Sequence, residues 1–185
     1  MKTATATLKS IAPYSQSRMH ATDKIEKESH DAYEKRTWRE KCHSNGDGNM
    51  FIPPMAFKFA IQRASEYLSE KIPGKGQATF SKHFKSGILV MEPLHLPVAK
   101  DTVEGEWLFV NSDGKRGSGK RVFRCFPVVR EWSGQLVFHV LDDTITKDAF
   151  ERTLREAGNF IGVGRFRPEN GGFYGRFEVG KIAWG

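Results

Sequence analysis

Cysteine is scarce in this chain of 185 residues, and long apolar runs are missing from it. Its two cysteines, Cys42 and Cys125, cannot form a disulfide framework, and the first residues lack the apolar stretch of a secretory signal. No uninterrupted apolar run approaches the roughly 18 residues that a membrane span requires. The sequence therefore predicts a cytoplasmic protein with reduced cysteines and no membrane partner.

Apolar and basic side chains are plentiful instead. Hydrophobic residues make up 38% of the chain and aromatic residues 12%, which is too many for a chain that is disordered throughout. The length suits a single domain over residues 1–185. Lys and Arg number 29 against 22 Asp and Glu, and this net charge of +7 favours a polyanionic partner.

Two helices are predicted from apolar residues that recur at helical spacing. The first begins near Pro54 and is ended by Pro73 and Gly74. Its buried face comprises Phe57, Ile61, Ala64, Leu68 and Ile72. The second is capped by Thr146 and stopped by Gly158.

Runs of β-forming residues predict six strands, at residues 3–11, 87–91, 106–110, 121–129, 136–141 and 177–184. Together with the helices they give the order of a βαββαβ skeleton. We therefore expect an α+β fold, a ferredoxin-like or RRM-like antiparallel sheet with two helices on one face. The other face, or its rim loops, would be left for a ligand.

A charged insertion occupies residues 18–50, between the first strand and the first helix. The charges of its acidic and basic residues nearly cancel, and it has few apolar residues, chiefly Ile25, Tyr33 and Trp38. This composition favours a solvated helical arm with ion pairs inside its own helix.

The most informative segment is residues 162–177, which contains five glycines. Glycine lets the backbone approach a partner closely, arginine binds phosphate, and aromatic rings stack on bases. The segment therefore predicts a nucleic-acid contact through Arg165, Phe166, Arg167, Phe173, Tyr174 and Arg176. In the alternative interpretation the glycines serve turns, the rings enter the core and the arginines are only solvated.

A hairpin loop over residues 113–124 is strongly basic. It can follow a phosphate backbone without reading bases, through Lys115, Arg116, Lys120 and Arg121. Residues 114–120 also fit the spacing of a phosphate-binding P-loop, but Arg121 replaces the required Ser or Thr and a strand follows where a helix is needed. An ATPase is therefore not predicted.

The histidines and cysteines show no metal-ligand spacing, so neither a metal nor another cofactor is predicted. His139 lies in an apolar run and is interpreted as a core residue. His20 or His83 could act as the base of metal-free RNA cleavage, although the sequence places no partner beside either.

Two segments resemble the RAMP superfamily, RNA-recognition-like proteins that form CRISPR backbones and process guide RNA. Residues 51–63 (FIPPMAFKFAIQR) are similar to the entry into the first helix of that family, and residues 162–177 to its glycine-rich loop. The insertion at 18–50 occupies the place of the family's thumb. The stretches GRFRP and GGFYGRF also resemble small bacteriophage proteins. The resemblance implies backbone contacts from Lys58, Arg63, the loop and the insertion, with neighbouring copies stacked along the strand.

The main hypothesis is a non-catalytic protein that binds single-stranded DNA or RNA and forms a homo-oligomer on it. A second hypothesis is a metal-independent endoribonuclease of the RAMP type. A third is a phage protein that engages a host RNA-guided complex, for which nucleic acid would be dispensable.

Overall fold

A computed structural model describes residues 1–112, 117 and 119–185, and these form an α+β structure with antiparallel sheets. The helices are α1 (His30–Thr37), α2 (Pro54–Leu68), α3 (Ser81–Gly87) and α4 (Lys147–Glu156). The strands are β1 (Lys2–Ser10), β2 (Tyr14–Ser15), β3 (Asn49–Ile52), β4 (Ile88–Leu89), β5 (Leu94–Ala99), β6 (Glu104–Asn111), β7 (Arg121–Val129), β8 (Ser133–Val140) and β9 (Phe177–Trp184). In this described part no helix is long and apolar enough to cross a bilayer.

The main sheet has the strand order β4-β8-β1-β9, and every neighbouring pair in it is antiparallel. β1 lies inside the sheet because its alternation buries Ala4, Ala6 and Leu8 on one face. Ala4 pairs with Phe138 of β8, and Leu8 pairs with Val179 of β9. This order is consistent with a ferredoxin-like fold.

Helices α2 and α4 cover the face on which Ala4 and Ala6 lie. The Phe57 ring of α2 contacts Phe177 of β9 edge to face at 5.9 Å, and Phe150 of α4 contacts Phe138 of β8 at 5.4 Å. Thr146 caps α4, as predicted, and its side chain accepts from the Ala149 amide.

The ends of the predicted helices needed correction. α2 ends at Leu68, before Pro73, because Ser69 adopts a left-handed φ of 48°; Ile72 is buried outside the helix. After α4 the chain continues through Gly158 as a π-helix over Ala157–Ile161. A Cβ on Gly158 would lie 2.0 Å from the Phe177 carbonyl oxygen, so this glycine serves a close helix-to-strand approach.

Two smaller sheets join the main one, with orders β2-β7-β6 and β3-β5. β6 and β7 form the predicted hairpin, with Phe109 opposite Phe123. The strand predicted at residues 87–91 is reduced to Ile88 and Leu89, because Gly87 belongs to α3.

The segment at residues 18–50 is solvated only in part, because residues 18–33 are exposed or partly exposed whereas several residues after them are buried. Glu34 of α1 is only 1% exposed, and Trp38 is also buried. The Glu34 carboxylate pairs with Lys41 and Arg124, so its partners lie outside α1. The prediction of ion pairs within the arm's own helix was therefore wrong, and the segment packs against β7.

Candidate nucleic-acid interface

The glycine-rich loop, residues 162–177, is folded closely on its own chain. The Val163 amide donates to the Gly175 carbonyl at 3.0 Å, and a Cβ on Gly175 would lie 1.8 Å from the Val163 oxygen. Gly164 has a φ of 80° and lies against Tyr14 and Ser15 of β2. At these positions glycine lets two parts of the same chain lie close together. The sequence had been interpreted as placing glycine there for close contact between the backbone and a partner.

A cleft of about 520 Å³ separates this loop from α2. Ala56, Phe59 and Arg63 of α2 line one side of it. The loop lines the other side, through residues that include Arg167 and Glu169. Arg63 and Arg167 were predicted as ligands from separate segments of the sequence, and the fold brings them to one site.

A single carboxylate joins these two arginines. Arg63 Nε donates to Glu169 Oε1 at 2.5 Å, while Arg167 Nε and Nη2 donate to Glu169 Oε2 at 3.0 and 2.9 Å. Arg63 also pairs with Glu66 at 2.6 Å. Burial opposes ionisation of Glu169, yet its contacts with the two arginines hold its pKa below the ordinary value. Sequence reasoning missed Glu169, because it lies 106 positions from Arg63.

Arg165 is not a free phosphate ligand. Its Nη2 donates to Glu106 at 2.8 Å, its Nε donates to the Ser15 hydroxyl at 3.0 Å, and its guanidinium lies 4.0 Å from the centre of the Phe126 ring. Burial lowers its pKa despite the nearby Glu106. Arg165 therefore ties the glycine-rich loop to the base of the β6–β7 hairpin.

Of the three rings predicted to contact nucleic acid, two are exposed and one is buried. Phe166 is 43% exposed and Phe173 is 52% exposed, whereas Tyr174 is 6% exposed. The Tyr174 hydroxyl donates to Glu106 at 2.6 Å, and burial together with this carboxylate raises its pKa. Its ring meets Phe173 edge to face at 4.5 Å. Tyr174 thus supports the two exposed rings and offers no open face for a base.

Two other predicted ligands are engaged inside the protein. Lys58 Nζ donates to Gln62 Oε1 at 3.2 Å and to the carbonyl oxygens of Phe84 and Lys85 at 3.1 and 2.7 Å. Burial lowers its pKa. These acceptors use its three protons, which argues against the predicted phosphate contact. Arg176 Nη1 donates to the Asn159 carbonyl at 2.5 Å.

The hairpin carries both charge and exposed rings. Lys120 and Arg121 are exposed, and Arg121 lies 5.0 Å from the centre of the Phe109 ring. The predicted ligands Lys115 and Arg116 lie outside the described residues. The exposed rings of Trp107, Phe109 and Phe123 were missed, because strand alternation alone does not say which face is covered.

The loop and the hairpin meet at Glu106, five positions before the strand end at Asn111. Five residues of strand span roughly 17 Å. The point where the loop contacts the hairpin therefore lies about 17 Å along the strand from Arg121, which pairs with Asn111, so the loop does not form one compact patch with Lys120 and Arg121.

The histidines differ from their sequence interpretations. His83 Nδ1 lies 2.6 Å from Asp142 Oδ2, and this contact holds the Asp142 pKa below its ordinary value. His20 contacts the Thr22 hydroxyl at 3.1 Å. His139 is partly exposed rather than a core residue. Among the described residues no group of three or more His, Cys, Asp and Glu side chains could hold a metal ion.

Comparison with known proteins gives a likeness of fold only. No family model matches the chain, and no curated protein matches it. It is similar to a chain of the "Cryo-EM structure of the Type III-B Cmr-beta bound to cognate target RNA", with a TM-score of 0.55 and 10% sequence identity. The similarity covers 99% of this chain and 60% of that chain. The protein therefore spans less than two thirds of the length of that structural neighbour.

Proposed function

We propose that this protein binds single-stranded nucleic acid without cleaving it, on a βαββαβ skeleton of the RAMP type. The observation that carries the proposal is the cleft between α2 and the glycine-rich loop, with Arg63 and Arg167 inside it and the exposed ring of Phe166 beside them. Arginine and open rings side by side suit a chain of phosphates and unpaired bases. The net charge of +7 and the fold shared with a chain of an RNA-bound complex support the same assignment.

In this proposal the phosphates contact Arg63 and Arg167, and a base stacks on Phe166 or Phe173. The exposed Lys120 and Arg121, with Lys115 and Arg116 of the same loop, add contacts further along the strand. Arg165 and Tyr174 position the glycine-rich loop, Lys58 holds α2 against α3, and none of the three contacts the ligand.

Binding of a labelled oligonucleotide at low salt tests the proposal. We expect single-stranded DNA or RNA to bind more tightly than a duplex of the same sequence, with affinity that falls as salt is added. Absence of binding to any of these probes at low salt would contradict it.

We further propose that copies assemble side by side along the strand, in the cytoplasm of a bacterial host if the gene is phage-borne. Met55 and Tyr67 of α2 are exposed and do not line the cleft, and the Tyr67 ring contacts the exposed Phe160 at 5.3 Å. Such a patch is typical of a protein contact. Light scattering after size exclusion should show a larger particle with an oligonucleotide than without it, and an unchanged mass would contradict assembly.

One observation favours a second candidate function, metal-independent RNA cleavage. The contact between His83 and Asp142 is the arrangement that orients a histidine as a general base. Cleavage of a hairpin RNA in the presence of EDTA that is lost in His83→Ala would support it. If the wild-type protein leaves the RNA intact, the non-catalytic assignment is favoured.

A further inference from the structure

We infer that Glu169 occupies a phosphate site in the free protein and must leave it when nucleic acid binds. This inference rests on the proposed function and adds to it a specific site and an internal competitor. Competition from the Glu169 carboxylate would therefore lower the affinity of the cleft for nucleic acid.

The position of the carboxylate supports this inference. Its two oxygens are divided between two arginines that come from different elements, Arg63 on α2 and Arg167 in the loop. The Glu169 side chain is 15% exposed and lines the cleft. An anion held by guanidinium groups from both walls stands where a phosphate oxygen would be bound.

The backbone around Glu169 lets its side chain move without disturbing the core of the protein. It lies in the short 3-10 helix Pro168–Asn170, which is followed by Gly171 with a φ of 76°. None of the three residues of this helix is buried. Moving the carboxylate out of the cleft therefore exposes no core side chain and breaks only its contacts with Arg63 and Arg167.

Arg63 and Arg167 have other contacts that keep them in the cleft when the Glu169 carboxylate leaves it. Arg63 is also paired with Glu66, and Arg167 Nη1 donates to the Gly164 carbonyl at 3.2 Å. Both arginines are thus held in place by contacts other than Glu169. When the carboxylate is removed, they stay in the cleft as a pair of cations without the anion that joined them.

The variant Glu169→Gln tests the inference with two probes, a labelled oligonucleotide and inorganic phosphate. We expect the oligonucleotide to bind about fivefold to tenfold more tightly than to the wild-type protein, because phosphate no longer competes with a carboxylate. We also expect phosphate to raise the unfolding temperature more in the variant than in the wild-type protein, since a ligand that binds the native state stabilises it.

Two controls carry the same change in net charge. Glu70→Gln removes a carboxylate that pairs with Arg152, and Glu104→Gln removes one that pairs with Arg130, both outside the cleft. We expect about twofold or less from each. Glu169→Asp keeps the charge on a shorter side chain and should give a smaller gain than Glu169→Gln.

The inference is overturned if Glu169→Gln binds no more tightly than Glu70→Gln, or if both Glu169 variants bind more weakly than the wild-type protein. If no variant binds an oligonucleotide, the proposed function fails. The phosphate titration then still decides the site, since equal stabilisation of Glu169→Gln and Glu70→Gln would refute it.

Discussion

Glu34 and Lys41 together cap the edge of β7 at Cys125. The Cys125 amide donates to Glu34 Oε1 at 2.8 Å, and Lys41 Nζ donates to the Cys125 carbonyl at 2.8 Å while it pairs with the same carboxylate. Two side chains thus supply the donor and the acceptor that a neighbouring strand would offer. The charged segment is held against the hairpin by this contact.

Replacing either residue should therefore destabilise the protein. We expect Glu34→Gln or Lys41→Met to lower the free energy of unfolding by about 3 kcal/mol, because each leaves a buried charge without its partner. Urea denaturation measures the change. The exposed pair Glu104 and Arg130 is the control, and Glu104→Gln should cost less than about 1 kcal/mol. Equal effects of the buried and exposed variants would refute the role of the edge contact.

The same carboxylate predicts a dependence on pH. Burial would raise the Glu34 pKa, but hydrogen bonds from Lys41, the Cys125 amide and Arg124 outweigh it and hold the pKa below the ordinary 4.5. A carboxyl group whose pKa is lower in the folded state than in the unfolded state stabilises the folded protein, and the effect is complete at pH values above the unfolded pKa. That stabilisation is lost as the pH falls through the folded pKa. The stability gap between wild-type protein and Glu34→Gln should thus be constant near neutral pH and narrow below pH 4.5, as measured by urea denaturation across this range.

Local patterns predicted the elements of the fold better than its contacts. The alternation of apolar residues identified β1 through Ala4, Ala6 and Leu8, and Thr146 identified the start of α4. Both patterns could be recognised because each is formed by residues within a few positions of one another in the sequence. The distant partners of Glu34 and Glu169 were not predictable, since Arg124 and Arg63 lie 90 and 106 positions away. A sequence rich in charged residues predicts that ion pairs form, but the fold determines which residues pair.

Gly175 provides a test of how the loop is held. A side chain there meets the Val163 oxygen and must also adopt a φ of 71°, so Gly175→Ala should lower the free energy of unfolding by more than about 1 kcal/mol. Gly46 has open space around its Cβ position, and Gly46→Ala should stay within about 0.5 kcal/mol. Thermal unfolding compares the two, and a neutral Gly175→Ala would contradict the packing of the loop.

Lys58 and Lys120 should respond differently to the same substitution. Lys120→Met removes an exposed charge and is expected to reduce the slope of log affinity against log salt by about 0.7, as for one phosphate contact on a single strand. Lys58→Met should leave that slope unchanged and lower stability by about 1 to 3 kcal/mol, because the carbonyl oxygens of Phe84 and Lys85 lose their hydrogen bonds from a charged donor. Binding isotherms at several salt concentrations, with unfolding curves, separate the two roles. A reduced slope for Lys58→Met would restore it as a phosphate ligand.

The exposed rings allow stacking to be separated from simple apolar contact. Phe173→Leu keeps an apolar side chain but removes the flat face, and we expect it to weaken oligonucleotide binding by about 1 to 3 kcal/mol. Phe160→Leu changes a ring of similar exposure in the patch assigned to contacts between copies, so it should leave the binding of an oligonucleotide that is short enough for a single copy unaltered. Fluorescence anisotropy with a labelled strand measures both. If the two variants bind alike, the ring of Phe173 does not stack on a base, and Phe166 is left as the ring of the loop proposed for stacking.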